Sequence, residues 1–270
     1  MAGHRGPLAA VGAALAAAVV VLLSPVPSAA VTEPPWPGAP APSAPGSLHP
    51  TPTPTTPPAP STVEIGRSRQ GRQLLATRYG FPTAPRTVVV IGLLHGDEPA
   101  GLKVVAALRS LTPPADTQLW VVPSGNPDGL AAGRRTNAAG VDLNRNFPNS
   151  WVYAGRGTST YSGPKAASEP ETAALVRFLS ARRPALTVIF HQPLYGVDSY
   201  HAKNPAWAQR LATAMGLPLK SFSCGGTCHG TLTGWHNATL PGMGLTVEFG
   251  SGTPSSAKAT QVARAVLTVR

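Results

Sequence analysis

Cysteine is nearly absent from the chain: Cys224 and Cys228 are the only two in 270 residues, with three residues between them in a Gly-rich loop. A zinc knuckle needs more ligands than that, so the pair reads as a small disulfide pinning the loop of an exported protein. No cysteine lies near Ser28-Ala29-Ala30, which argues against a lipid-anchored bacterial precursor. Acids are scarce, 11 against 22 Lys and Arg, so each can be inspected in turn. Aromatics make up 6% and do not interleave with the arginines, and no nucleic-acid motif is present, so nucleic acid is set aside as a partner. Tyrosine stops at Tyr200, and no internal repeat is visible.

Residues 1–30 read as a secretory signal. Arg5 supplies the positive start, Leu8 to Leu23 the apolar stretch, and Ser28-Ala29-Ala30 the small residues of a cleavage site. An uncleaved anchor is the alternative, and the only route by which the chain would meet a membrane. The stretch of 16 residues is short for a span and ends at Pro25 and Pro27, so cleavage is favoured. Residues 31–61 are Pro-rich with almost no charge and read as an extended, disordered tether. Loss of Arg5, the one charge in 1–30, leaves +10 of the formal +11. Such an excess favours anionic surroundings, and export points to wall polymer or anionic peptide; plain solubility is the bland alternative. The expected location is extracytoplasmic, associated with the cell wall, and a monomer is expected.

The folded domain spans 62–270. Val63 to Tyr79 reads as a hairpin turning at Arg69-Gln70-Gly71-Arg72. Continuous apolar runs at Thr87–Leu94, Thr117–Val122, Ala185–Phe190 and Gly244–Gly250 read as buried strands. Helical spacing predicts helices over 99–111, 170–183, 204–215 and 254–267. Ser168 is read as the cap of the second, with Glu171 closing a capping box. Strands alternating with helices make an α/β layered sheet, mixed because of the opening hairpin. The long Gly/Asn/Pro/Ser-rich region 124–167 is a loop of functional length, in which Asn126 and Asp128 read as Asx-turn residues.

Chemistry gathers around His95-Gly96-Asp97-Glu98, at a strand end running into a helix. His and Glu three apart on one rigid corner are two metal ligands, and H-x-x-E by itself also arises as an ordinary turn. Two further residues change the balance. Glu248 lies inside an apolar strand, where a carboxylate is costly unless paired or bound, the alternative being an edge strand facing water. His191 ends another apolar strand, where a satisfied core histidine is the alternative. His95, Glu98 and His191 together make the ligand set of one zinc ion with an open position, and Glu248 would then be the base for water.

These residues, with Asn126-Pro127-Asp128-Gly129, the run Arg134 to Pro148 (RRTNAAGVDLNRNFP), Ser168 to Thr172 (SEPET) and the TVEFG strand, resemble the zinc carboxypeptidase family of metallopeptidases over almost all of 62–270. The resemblance implies a three-layer α/β/α fold with a mixed, mainly parallel central sheet. It also implies zinc held by His95, Glu98 and His191, with Glu248 as general base and acid. Arg135, nine residues before Asn144, would polarise the scissile carbonyl, with Arg134 as the competing register. Asn144 and Arg145 would bind the substrate's terminal carboxylate, for which a planar guanidinium beside an amide is well suited. Asp142 reads as structural. The branch most similar cleaves wall-derived peptides between γ-D-glutamate and diaminopimelate.

Two departures from the family stand out. No Tyr occupies the stretch before the last catalytic strand, leaving His229 as a candidate substitute. Thr233 falls at the floor of the side-chain pocket, where an enzyme for basic residues carries an acid. Asp198 and His229 are candidates for the charged far end of diaminopimelate. The function expected is a secreted zinc peptidase or amidase acting on peptidoglycan peptides. The alternatives are a general metallocarboxypeptidase removing neutral C-terminal residues, and a non-catalytic wall-binding module.

Overall fold

The computed structural model describes residues 56–200, 202–224 and 228–270. The signal segment 1–30 and all but the last residues of the tether 31–61 lie outside the described residues. Four apolar runs form the centre of the sheet: β3 (Arg86–Ile91), β4 (Thr117–Val122), β5 (Leu186–His191) and β8 (Met243–Glu248). All four are parallel to their central neighbours, and near-continuous apolar sequence is what a strand covered on both faces requires. The hairpin β1 (Ser61–Arg67) and β2 (Gln73–Tyr79) adds antiparallel to β4 on one edge. On the other, β6 (Gly196–Asp198) runs antiparallel to β8 and parallel to the short β7 (Leu219–Lys220). The order is β1-β2-β4-β3-β5-β8-β6-β7, a mixed sheet with a parallel centre, as expected from the sequence.

Alternation along the strands divides the core into two layers. Val88 and Val90 face α1 (Gly101–Arg109), α4 (Pro205–Met215) and α6 (Ser256–Thr268). Val89 and Ile91 face α3 (Pro170–Arg182) and α5 (Leu232–Thr239). Phe190 is fully buried and stacks on Phe249, ring centroids 5.6 Å apart. Truncating a buried Phe of this kind costs roughly 3–5 kcal/mol.

Element positions follow the sequence pattern, with informative exceptions. The third strand stops at Ile91 rather than Leu94, because the chain turns out of the sheet toward the loop after β4. The first long helix begins at Gly101, and the backbone N–H of Ala100 is taken by the side chain of Gln192 at 2.9 Å. Ser168 does not cap α3. Its hydroxyl donates to Glu169 at 2.8 Å, Glu169 occupies the cap position, and Glu171 turns away to accept from the Arg69 backbone N–H at 2.9 Å. The capping box loses because buried carboxylates at this place find stronger donors in the hairpin turn. Helix α5 was not apparent in the sequence, since Leu232–Thr239 carries Gly and Thr and lacks a clear 3.6-residue pattern. Its N-cap Thr231 accepts from Gly234 N–H at 3.1 Å and compensates locally.

Candidate active site

The C-terminal ends of β3, β5 and β8 meet at one side of the sheet, where ligand sites of α/β folds form. His95 and Glu98 stand on the turn between β3 and α1. Gly96 between them packs against α2 (Pro127–Ala132): a Cβ there would lie 2.2 Å from the Gly129 carbonyl oxygen, so only glycine fits. The Gly96 N–H also donates to the Arg134 carbonyl at 3.0 Å, tying this corner to the long loop.

Three ligand atoms converge. His95 Nδ1 lies 2.8 Å from one Glu98 oxygen, His191 Nδ1 lies 2.8 Å from the other, and the two imidazole nitrogens are 3.1 Å apart. Tetrahedral zinc with ligand bonds near 2.0–2.1 Å places its ligand atoms about 3.3 Å from one another. Two imidazoles and a carboxylate at nearly that spacing, all three residues buried, fit zinc in both donor type and size. Asp142 sits behind His95 as the partner of its far nitrogen, Nε2, at 3.0 Å. A proton held there leaves the Nδ1 lone pair facing the convergence point. Burial works against a charged ring at His95, but the Asp142 and Glu98 carboxylates outweigh it and raise its pKa. Burial also opposes the charge on Glu98, yet hydrogen bonds from His191 and His95 keep its carboxyl well below the usual range.

Glu248 ends β8 in register with His191 on β5. It is 8% exposed and accepts the Leu194 N–H at 3.2 Å. Burial pushes its carboxyl up, and His191 draws it partway back. A carboxyl of raised pKa beside a metal point is suited to accept and return a proton near neutral pH.

Arg135 and Arg134 are separated by the fold. Arg135 lines the cleft, its guanidinium 3.1 Å from Glu98 and clamped by Asp142 at 2.8 and 3.1 Å. Arg134 is exposed outside the cleft. Asn144 and Arg145 follow on a single 3-10 turn, Leu143–Arg145, started by the Asp142 side chain accepting from Asn144 N–H at 2.9 Å. The Asn144 side-chain oxygen Oδ1 accepts from Leu232 N–H at 2.9 Å, which aims its amide nitrogen Nδ2 toward His191. Asp142, read from sequence as structural, therefore touches three parts of the site. Its signal was its place two residues before Asn144, with no period or spacing to mark a partner in His95.

The cleft holds about 560 Å³. Asp198, Tyr200, Thr233, Thr246 and the Cys224–Cys228 disulfide line it as well. His229 does not line it; its ring faces the Ser150 carbonyl at 3.2 Å beside a smaller cavity, so Tyr200 is the phenol in the cleft wall. Gln192 has no role assigned from the sequence: its backbone N–H donates to Glu98 at 3.1 Å while its side chain spans from Ala100 to Gly250.

Comparison with known proteins points to one family. The profile described as zinc carboxypeptidase matches residues 55–193. Murein peptide amidase A of Escherichia coli K12 is 37% identical over 191 residues, covering 65% of this chain and 76% of that protein. The crystal structure of a murein-tripeptide amidase from Escherichia coli O157 superposes with a TM-score of 0.61 at 32% identity, covering 77% of this chain and 90% of that one. The carboxypeptidase A of Helicoverpa armigera shares the fold at 21% identity, with a TM-score of 0.64 over 77% of this chain and 66% of that one.

Proposed function

The chain belongs to the zinc carboxypeptidase family and is a zinc metallopeptidase, and from that premise we propose that it hydrolyses peptidoglycan-derived peptides at the γ-D-glutamyl–diaminopimelate bond. The observation that carries the reading is the meeting of His95, Glu98 and His191 beside Glu248 and Arg135, in a cleft that also holds Asn144 and Arg145.

Zinc bound by His95, Glu98 and His191 supplies Lewis acidity, lowering the pKa of a water molecule and polarising a carbonyl. The residues of the chain do the rest. Glu248 accepts a proton from the attacking water on its carboxylate and returns it to the departing amine nitrogen. Arg135, held rigid by Asp142, directs N–H groups at the carbonyl oxygen as negative charge grows there. Arg145 and the Asn144 amide grip the free carboxylate of the released residue and set the scissile bond in place. The signal-like segment 1–30 supports export, and the positive charge supports action near an anionic wall.

The test feeds murein tripeptide and larger muropeptides to the folded domain and identifies products by mass spectrometry. Release of free diaminopimelate from the tripeptide is expected. Efficient cutting of ordinary peptides with no wall peptide cut rejects the wall assignment and leaves a general carboxypeptidase.

A further inference from the structure

We infer that the groove beyond Arg135, flanked by Arg134 and Arg156, binds a carboxylate carried on the acyl side of the substrate, four bonds from the scissile carbonyl carbon. The inference rests on the peptidase reading above and concerns the half of the substrate that stays behind when the C-terminal residue leaves.

Two hollows meet at Arg135. One is the catalytic cleft, and the other is an open groove of about 760 Å³. Arg134, Arg156, Thr136, Ser159 and Tyr161 line the groove, and no carboxylate does. Among the described residues neither Arg134 nor Arg156 forms an ion pair, whereas Arg135 is held by Glu98 and Asp142. Two uncompensated guanidinium groups around one hollow repel each other until an anion enters. Their planar forks suit a carboxylate.

The main chain fixes both arginines against the site. The Arg134 carbonyl accepts from Gly96 N–H at 3.0 Å, and the Arg135 carbonyl accepts from the Asn126 amide at 3.2 Å. Between these anchors the side chains are divided: Arg135 borders both hollows, Arg134 the groove alone. Arg156 arrives from the loop before Tyr161. Its guanidinium lies 5.8 Å from the centroid of the Tyr161 ring, a contact that limits its freedom. The Tyr161 carbonyl accepts from Asp142 N–H at 2.8 Å, which ties that loop to the residue clamping Arg135.

The length of the acyl chain follows from the same layout. Arg145 and Asn144 hold the released residue, so the acyl half extends away from them. A carbonyl oxygen turned to Arg135 sets the next acyl atoms beside the wall between cleft and groove. Four bonds reach about 5 Å, and the Cα atoms of Arg134 and Arg135 stand about 3.8 Å apart. A γ-linked glutamyl group carries its free α-carboxylate four bonds from the scissile carbonyl carbon. An α-linked glutamyl residue carries its side-chain carboxylate at the same separation. The corresponding amides keep the shape and lose the charge.

The experiment uses the folded zinc enzyme and two acyl pairs: γ-D-glutamyl against its α-amide, and α-linked glutamyl against glutaminyl. Each is made with diaminopimelate and with leucine as the leaving residue. Wild-type kcat/KM is expected to favour the carboxylate over its amide by roughly 5- to 30-fold. Arg134→Gln with Arg156→Gln is expected to bring that ratio close to one while the rate on the amide holds. Removing two exposed charges elsewhere, by Arg109→Gln on α1 with Arg264→Gln on α6, is expected to leave it unchanged; neither residue lines the cleft or the groove. Equal wild-type rates on acid and amide, an unchanged ratio in the groove variant, or an equal fall in the charge-matched variant overturns the inference. Should the double groove variant not fold, Arg134→Gln alone decides; its backbone anchor is untouched, and an unchanged ratio overturns the inference. Failure on the γ-D-glutamyl pair alone sinks the wall assignment and leaves the ratio measurable on the α-linked pair. Turnover of neither pair overturns the inference together with the peptidase reading.

Discussion

The protein buries two groups of acids, and they are built in opposite ways. In front, Glu98, Asp142 and Glu248 gather at the cleft. Behind, Glu169, Glu171 and Asp128 lie beneath the turn of the opening hairpin. The rear acids meet donors from the chain itself. Asp128 accepts from the Ser68 hydroxyl at 2.7 Å, Gln70 N–H at 3.0 Å and Arg72 at 2.7 Å. Glu171 accepts from Arg69 N–H and from the Asn137 amide, which also serves Glu169 at 2.8 Å. In front, Glu98 meets Arg135 and the Gln192 N–H as donors, but each of its oxygens also faces an imidazole nitrogen, His95 Nδ1 and His191 Nδ1 at 2.8 Å, so three potential ligand atoms converge on one point. Convergent acceptors suit a cation; acceptors matched to donors hold a fold together.

That contrast is most exposed by Glu248→Gln. Turnover is expected to fall roughly 10³- to 10⁴-fold, with zinc content by mass spectrometry and melting temperature close to wild type. Untouched turnover would remove Glu248 from the proton path. Asp128→Ala is the mirror image. It strands three donors and is expected to lower unfolding free energy by about 2–4 kcal/mol, read by denaturant titration, while kcat at permissive temperature stays near wild type. A loss of activity without a loss of stability would erase the distinction between the two clusters. Asp142→Asn lies at the boundary between them. It keeps the shape but weakens the hold on His95 Nε2 and Arg135, and zinc affinity by competitive chelation is expected to fall roughly 10- to 100-fold.

The smallest effect lies within the rear group. Burial raises the Glu171 carboxyl above its ordinary 4.5, aided by Glu169. For Asp128, burial is outweighed by Ser68, Arg72 and Gln70 N–H, and its carboxyl falls below 3.8. Their linkages to pH therefore have opposite sign. The Glu171 contribution to stability improves as pH falls through its folded value toward 4.5. The Asp128 contribution is present above 3.8 and is lost as pH falls through its folded value. Carboxyl-carbon NMR titration is expected to show Glu171 protonating first; the reverse order would show that the turn does not shelter Asp128.

How legible each cluster was follows from how it is made. The parallel centre was visible because strands covered on both faces must be apolar along their whole length, as Val88 to Ile91 are. His95 and Glu98 were visible because a fixed spacing on a rigid corner leaves a local trace. Asp142, Gln192 and the Glu171 contacts left none, since their partners lie 47, 94 and 102 residues away. Helix α5 was hidden for a related reason: its few apolar positions, Leu232 and Trp235, make sense only once Phe147 is packed against them.

By itself the sequence determined the alternation of strands and helices, the metal-binding residue types and the family resemblance, because these depend on periodicity and short-range spacing. Only the tertiary structure decided that Arg135 rather than Arg134 enters the cleft, that His229 stays out of it and that Asp198 lines it. Those outcomes depend on which side of a loop faces the sheet end. That facing is set by long-range hydrogen bonds, such as Gly96 N–H to the Arg134 carbonyl, which no local pattern encodes.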